Sequence, residues 1–304
     1  MSMDIAVKPS RLADWRSRHQ SGIGESRHNV RVFFRDKLAV AGFVVILATL
    51  IIAIFAPYLA PYPEQGRGDS DMPNRLQAPS REHVMGTDQQ GRDVLSRIMF
   101  GARIPLSISV VVTFGVLLVG VPLGGIAGYF GGWIDEMVMR ITDIFLAFPA
   151  LVFAMALVAF LGASLRNVAV ALVITWWPWY ARLVRGMAIS LRERPYVLAA
   201  KTIGVSHFTI IRRHILPNTF GPVIVQMTVD VGAVILEVAA LSFIGLGAKP
   251  PTPEWGLMVS EGREYILSAW WISTFAGIAI FGLVLAYNLV GDALRDVLDP
   301  RLKR

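Results

Sequence analysis

Four long runs without a charged side chain limit what this 304-residue chain can fold into. They extend over residues 38–63, 104–134, 144–165 and 265–291. Each run holds at least about 20 residues, enough to cross a hydrocarbon core of roughly 30 Å as an α-helix. Only helices and closed barrels satisfy their backbone polar groups in lipid, and runs of this length indicate helices. The sequence therefore predicts an all-α integral membrane protein.

Apolar runs and turn residues together predict six membrane spans. They are Leu38–Leu59, Leu106–Phe130, Ile141–Leu161, Asn167–Ala188, Phe220–Ile244 and Ala269–Val290. The chain then divides into an N-terminal arm (1–37), a first anchor helix (38–59), a loop with an interfacial helix (60–103), a five-helix core (104–292) that includes a polar loop (190–219), and a tail (293–304). The first 36 residues lack an apolar core, so we expect the first span to be an uncleaved anchor.

The distribution of basic residues predicts the orientation of these spans. With six spans both termini share one side, and that side would hold about two thirds of the 29 lysines and arginines. Cytoplasmic segments carry such an excess. We therefore expect both termini and the loop at 190–219 to lie in the cytoplasm, and the loop at 60–103 to lie outside.

Composition excludes several other classes of function. The chain has no cysteine, which rules out disulfides and thiolate metal sites, and its five histidines show no metal-ligand spacing. A net charge of +7 could suggest nucleic acid. An excess of basic residues on the inner face of a membrane protein gives the same value, and we prefer that explanation. We expect no catalytic residue, cofactor site, metal site or nucleic-acid partner.

A basic, polar island, Arg194–Pro217, separates two apolar spans. Pro195 suits the first turn of a helix, and Gly204 is a natural terminator in a left-handed conformation. Ser206 can cap a second short helix to about His214, before Pro217 interrupts the chain. The island could dock a partner protein. It could also rest on anionic lipid through its basic residues, Arg192, Arg194, Lys201, Arg212 and Arg213.

The predicted outer loop contains a second polar motif, Gly86-Thr87-Asp88 followed by Gly91-Arg92-Asp93. Thr87 or Asp88 can cap a helix whose apolar residues recur with helical spacing, with Arg92, Asp93 and Arg97 on its other face. The helix could lie on the membrane surface, held by local ion pairs. It could also form a collar that touches a partner outside the membrane.

Asp230 and Glu237 are the acidic residues placed most deeply in a predicted span. Seven residues apart, they share one helix face, and a carboxylate inside a membrane usually faces a partner or a water-filled path. They could attract a positively charged substrate group. They could instead form hydrogen bonds between spans or pair with a partner subunit.

The island also resembles a known signature. Ala199-Ala200, Gly204 and Leu216-Pro217 have the spacing of the EAA loop in permeases of binding-protein-dependent ABC importers. Leu198 stands where that signature has glutamate, and His214 stands where it has isoleucine.

Further motifs resemble the second permease subunit of the dipeptide/oligopeptide branch of this family. They are the GTDxxGRD motif at 86–93, LSFIGLG at 241–247, PPTPEWG at 250–256 and NLVGDALRDVLDP at 288–300. In their expected order they extend the resemblance from Leu38 to the end of the chain.

The resemblance implies a type I ABC importer permease fold in a bacterial inner membrane. It implies a homologous second permease, two cytoplasmic ATPases that bind ATP and Mg²⁺, and an extracytoplasmic substrate-binding protein. No Gly-Lys pair occurs here, so the chain lacks the phosphate-binding loop of such ATPases. The ATPase would be contacted by the signature residues of the island, Pro195, Leu198, Ala199, Ala200, Gly204, Ser206, His214, Leu216 and Pro217.

Di- or oligopeptides are the expected substrates, with nickel complexes, glutathione, opines or sugars as alternatives within the same branch. Two other classes were weighed. A self-contained secondary transporter would show an inverted repeat and an intramembrane cation site. A membrane-embedded enzyme would need a nucleophile–base pair or a metal motif. The sequence favours the ABC permease over both.

Overall fold

Helices form most of the chain that the computed structural model describes, residues 33–298. Their bounds are α1 Lys37–Leu59, α2 Pro63–Arg67, α3 Val94–Gly101, α4 Arg103–Phe130, α5 Gly132–Leu146, α6 Ala150–Leu161, α7 Leu165–Arg192, α8 Pro195–Thr202, α9 His207–Ile210, α10 Leu216–Phe243, α11 Trp255–Gly262 and α12 Trp271–Leu298. Short 3₁₀ turns occupy Met72–Asn74 and Arg263–Tyr265, and a π-helix occupies Ile211–Ile215. No β-strand occurs within 33–298, which confirms the all-α prediction there. Most of the predicted N-terminal arm and the end of the tail lie outside these residues.

Four helical segments are long and apolar enough to cross a membrane, and five if one bent pair counts as a span. The four are 37–59, 94–130, 207–243 and 271–297, and the pair is α5 with α6. Helix α7, which contains the predicted fourth span, is long enough but is not among them. It carries Arg182 and Arg185 and a tryptophan-rich middle, which lower its mean hydropathy.

The third predicted span, Ile141–Leu161, is wrong as a single straight helix. The structure breaks it between α5 and α6, whose axes differ by 84°. Pro149 explains the break, because proline disfavours the helical conformation of the residue before it and donates no backbone hydrogen bond. Helix α6 then runs for only 12 residues.

Helices α4 and α7 pack closely through a row of glycines. A Cβ atom at Gly120, Gly124 or Gly128 would lie 2.7, 2.2 or 2.5 Å from a carbonyl oxygen of Trp177, Ala181 or Arg185, respectively. Small residues at every fourth position allow this close approach of two backbones. Because the contacts advance in the same direction along both helices, α4 and α7 are parallel.

The other long helices alternate in direction around this pair. Helix α10 crosses α7 with Asp230 opposite Tyr180 and Glu237 opposite Trp176, so these two helices are antiparallel. Helix α1 lies against the far side of α12, where Gly42 approaches the carbonyl of Ala286. One apolar core lies among α4, α6, α7 and α10. A second joins α1, α3, α11 and α12.

Candidate functional site: a cytoplasmic element, an outer cluster and a cavity

The basic island folds as the sequence predicts in its first half. Helix α8 has Pro195 in its first turn. Gly204 follows with φ of +78°, the left-handed conformation expected of a terminator. The side chain of Ser206 then accepts a hydrogen bond from the backbone N–H of Thr209 and caps α9. We call residues 195–215 the cytoplasmic element, after the side of the membrane on which the distribution of basic residues predicts it.

The prediction for its second half was wrong. Pro217 does not interrupt the chain, because helix continues from His207 to Phe243. A π-helical turn at Ile211–Ile215 comes just before the proline, and the N–H of Leu216 bonds to the carbonyl of Ile211. This wider turn makes room for a proline ring inside a helix. The cytoplasmic element therefore continues into α10 without a break in the helix.

A small apolar cluster attaches the cytoplasmic element to the ends of α4 and α7. Its buried members are Tyr129, Ala188, Val197, Ala200, Ile210, Ile211 and Ile215. The Tyr129 hydroxyl lies 2.7 Å from Nδ1 of His207. The ammonium of Lys201 lies 4.9 Å from the centre of the Tyr129 ring. Tyr129 is thus the main link between α4 and the element, and nothing in its sequence pattern indicated this role.

Outside this cluster the element exposes three large apolar side chains. Leu198, Ile203 and Phe208 are 44%, 79% and 73% exposed. The predicted contact residues divide between buried and exposed positions. Ala200 is buried, Leu216 and His214 are half-buried, and the others are exposed, namely Pro195, Leu198, Ala199, Gly204, Ser206 and Pro217.

The basic residues of the lipid-binding alternative are mostly exposed as well. Arg194, Lys201, Arg212 and Arg213 are exposed, whereas Arg192 is half-buried and donates a hydrogen bond to the carbonyl of Gly128. Because the apolar and the basic side chains are both exposed, burial does not distinguish binding to lipid from binding to a partner protein.

Two ion pairs between α5 and α7 were missed by the sequence reasoning. Arg182 donates to Asp143 at 2.6 Å, and Arg185 binds both carboxylate oxygens of Asp135. The two arginines lie near the end of the predicted fourth span. From there a long side chain can extend to water without an ion-pair partner, so the sequence did not require these pairs. The eight-residue spacing of Asp135 and Asp143, two helical turns, was the available signal, since both lie on one face of α5.

The outer motif is buried inside its own chain. Gly86, Thr87, Asp88, Gly91, Arg92 and Asp93 are all buried. A Cβ atom at Gly91, whose φ is +77°, would lie 1.7 Å from the carbonyl oxygen of Asp71, so only glycine fits. The cap was predicted at Thr87 or Asp88, but Asp93 caps α3 through the N–H of Ser96.

Charged side chains of this motif form a buried cluster with α11. Asp88 accepts from Nε of Arg92 at 2.6 Å and pairs with Arg97 at 3.2 Å, and Glu261 pairs with both arginines at 3.3 and 3.4 Å. We call these four residues the outer cluster, after the side of the membrane predicted for the loop at 60–103. Beside it, Nδ1 of His83 lies 3.0 Å from the Asp93 carboxylate. Helical spacing predicts Arg92, Asp93 and Arg97 on the face opposite the apolar residues, and in the structure all three are buried, because Glu261, up to 169 residues away in sequence, pairs with both arginines.

Burial dominates the electrostatics of the outer cluster. Loss of solvent raises the pKa of Asp88 above its ordinary value, although Arg92 and hydrogen bonds to its carboxylate act in the opposite direction. Burial likewise raises the pKa of Glu261, against the attraction of Arg92. The two carboxylates and two arginines compensate one another within the fold, so removing one of them would leave a buried charge unpaired.

Asp230 and Glu237 join α10 to α7 by hydrogen bonds. The Tyr180 hydroxyl donates to Asp230 at 2.7 Å, and the Trp176 indole N–H donates to Glu237 at 2.8 Å. This matches the interspan alternative for both residues. Asp230 also lines a cavity of about 560 Å³ between the two helices, whereas Glu237 does not. The structure thus separates two carboxylates that the sequence treated alike.

Two protein-family models match the chain. Residues 120–304 match "Binding-protein-dependent transport system inner membrane component", and residues 27–79 match "N-terminal TM domain of oligopeptide transport permease C". The first match alone extends over more than half of the sequence.

Several curated relatives are similar over most of their length. The chain is 48% identical to the dipeptide transport system permease protein DppC of Alkalihalophilus pseudofirmus, over 88% of both chains. It is 42% identical to the glutathione transport system permease protein GsiD of Pectobacterium atrosepticum, over 90% of both chains. It is 43% identical to GsiD of an Escherichia coli strain, over 90% of this chain and 89% of that one.

Among solved structures, the MetNI methionine ABC transporter in inward-facing conformations has a similar fold. One crystal form aligns with a TM-score of 0.53 at 20% identity, covering 66% of this chain and 96% of the other. The alignment thus takes in about two thirds of this chain and nearly all of the other one.

Proposed function

Since the chain belongs to the family of binding-protein-dependent transport system inner membrane components, we propose that it forms half of the pathway for di- or oligopeptides in an ATP-driven importer. It is a multi-pass inner-membrane permease of an ABC importer, in the branch that contains dipeptide and glutathione permeases. The observation that carries the peptide proposal is 48% identity over 88% of a dipeptide permease.

The packing of α4 and α7 supports the proposal of six spans. Both helices run in the same direction side by side, so the chain between them has to return across the membrane if α4 crosses it. The bent pair of α5 and α6 supplies that return, and α7 then crosses in spite of its polar residues. With the excess of basic residues inside, both termini lie in the cytoplasm.

The exposed apolar face of the cytoplasmic element is the ATPase contact in this proposal. Leu198, Ile203 and Phe208 project from an element that is packed on α4 and α7 and continuous with α10. Force applied to this face would reach three spans without passing through a flexible joint. Exposed apolar patches mark sites that bind a protein or a membrane, and the similarity to ABC importer permeases favours the protein partner here.

The chain itself is the non-catalytic subunit of the assembly in this proposal. Two cytoplasmic ATPases would bind ATP and Mg²⁺, a homologous permease would complete the pathway, and an extracytoplasmic protein would deliver substrate. Contact with that protein would involve exposed side chains around residues 86–93, because the motif side chains themselves face inward. Asp230 and Glu237 would border the pathway on α10.

Glutathione is a second candidate substrate. It is supported by the 42–43% identity to glutathione permeases over about nine tenths of the chain. Glutathione is itself a small peptide-like molecule with a free ammonium group, so one pathway could accept both. No relative or contact described here favours nickel, opines or sugars.

The ATPase contact is tested with Ile203→Glu and Phe208→Glu. Both side chains are largely exposed, so we expect folding to be unaffected, while a charge in the apolar contact prevents docking. A tagged chain is purified, the amount of co-purified ATPase is measured, and dipeptide uptake is followed in proteoliposomes with the binding protein. We expect at least a tenfold loss of both.

The control is Leu267→Glu, at a 98% exposed residue on the predicted outer side, which should retain the ATPase. Arg212→Gln with Arg213→Gln tests the lipid alternative. If removing these charges abolishes uptake while the two glutamate variants still bind ATPase, the element rests on lipid and the docking proposal is wrong.

A further inference from the structure

The cavity between α7 and α10 combines aromatic walls with a carboxylate inside the membrane-spanning region. It is lined by Trp176, Trp179, Tyr180, Arg182, Leu183, Gln226 and Asp230. Its volume of about 560 Å³ lies within the range of pockets that bind small molecules. We propose that Asp230 binds the ammonium group of a peptide's free amino terminus here during passage, an inference that rests on the function proposed above.

The hydrogen bonds of Asp230 leave its charge uncompensated. The Tyr180 hydroxyl and the Gln226 amide donate to it at 2.7 and 2.9 Å, and both donors are neutral. Within residues 33–298 no Lys, Arg or His nitrogen lies within 4.0 Å of its carboxylate. A carboxylate has about four acceptor positions, so two remain for a ligand. Because an isolated charge in a span is costly, a ligand cation at these positions would stabilise the ionised carboxylate.

The basic residue at the cavity does not change this conclusion. Arg182 already pairs with Asp143 on α5 at 2.6 Å. Its positive charge is therefore neutralised from outside the cavity, and the charge that remains is negative. A site of this sign selects a cation and disfavours a free carboxylate.

The aromatic walls suit an organic ammonium better than a metal ion. Indole faces attract ammonium groups, and they contact the carbon atoms that follow in the ligand. Trp176 is held in place by its hydrogen bond to Glu237, and Trp179 is 57% exposed and free to contact a ligand. A primary ammonium carries three N–H donors, enough to bond Asp230 and still contact an indole face.

Binding measured without the substrate-binding protein tests the proposal. The assembled complex in nanodiscs is dialysed against radiolabelled L-alanyl-L-phenylalanine and against its N-acetyl form, which lacks the ammonium charge. We expect the wild type to bind the free dipeptide about tenfold more tightly than the acetylated one, the size of a charge-assisted hydrogen bond. Asp230→Asn should remove that difference, and Asp230→Glu should restore much of it.

The matched control is Glu136→Gln, which removes an exposed carboxylate of α5 distant from the cavity and should leave both affinities unchanged. Preserved discrimination in Asp230→Asn overturns the proposal, and so does an equal loss for both probes. Loss of the second permease from the purified Asp230→Asn complex also overturns it, since the missing cation then belongs to that subunit. The proposal is also overturned if the wild type shows no saturable binding of the dipeptide.

Uptake into proteoliposomes with the binding protein separates this inference from the proposed function. If the wild type carries no peptide, the function itself is wrong. If it carries peptides while Asp230→Asn binds both probes as the wild type does, only the ammonium site is wrong.

Discussion

The outer motif at residues 86–93 and the cytoplasmic element at 195–215 are both short polar segments between membrane spans, yet the fold treats them in opposite ways. The outer motif turns its charged side chains inward, where Asp88, Arg92, Arg97 and Glu261 neutralise one another. The cytoplasmic element leaves its basic residues in solvent and exposes Ile203 and Phe208 as well.

This difference shows what each segment can do. A buried and internally compensated motif has few free groups for a partner, so we expect it to hold the loop at 60–103 against α11. The exposed apolar side chains of the cytoplasmic element are free to contact a partner. Because the element packs on α4 and α7, a force on it would be transmitted to those helices. Substitutions should therefore cost stability in the outer motif and transport in the cytoplasmic element.

The largest expected effect is that of Gly91→Ala. Its new Cβ would meet the carbonyl of Asp71 at 1.7 Å, and the backbone there is left-handed. We expect a loss of about 5 kcal/mol or more, enough to prevent the outer loop from folding. Size-exclusion chromatography of heated, detergent-purified protein measures the folded fraction.

Gly204→Ala is the matched control, because Gly204 has nearly the same φ of +78° with no atom within 4 Å of a new Cβ. Only the conformational cost of about 1 kcal/mol applies to it. Equal destabilisation by the two substitutions would mean that the outer motif is no more tightly packed than the cytoplasmic element.

A smaller effect is expected for Arg97→Met in the outer cluster. It leaves two carboxylates with one arginine in a buried site, which costs about 3 kcal/mol. The double variant Arg97→Met with Asp88→Asn removes one charge of each sign. Its loss of stability should be smaller than the losses of the two single variants added together. Thermal unfolding midpoints of all four proteins test this coupling. Additive losses would show that these charges do not interact.

The smallest effect on stability is expected for Tyr129→Phe. It removes the hydrogen bond to His207 and keeps the ring, at a cost of about 1 kcal/mol. Hydrogen exchange of residues 195–215 should accelerate severalfold with little change in the global midpoint. Tyr196→Phe, at a 44% exposed position in the same element, should change neither. Faster exchange in both variants would contradict the specific role of Tyr129.

Local chemistry made much of this architecture predictable. Pro195, Gly204 and Ser206 act on their immediate neighbours, and the structure has the predicted helix, turn and cap. The predictions failed where distant contacts decide. The π-helical turn before Pro217 accommodates a proline ring that the sequence pattern alone marks as a helix break. Glu261 pairs with and helps to bury two arginines that helical spacing placed on the polar face of α3.

The number and length of apolar runs determined by themselves that this chain is a helical membrane protein, since only helices and closed barrels satisfy the backbone in lipid and runs of about 20 residues indicate helices. The order of motifs likewise indicated its family. Tertiary structure alone decided which side chains meet. It paired Arg182 with Asp143, buried the outer motif and opened a cavity beside Asp230 but not Glu237. The physical reason is that burial and charge compensation depend on residues far apart in the chain, and a local pattern contains no information about them.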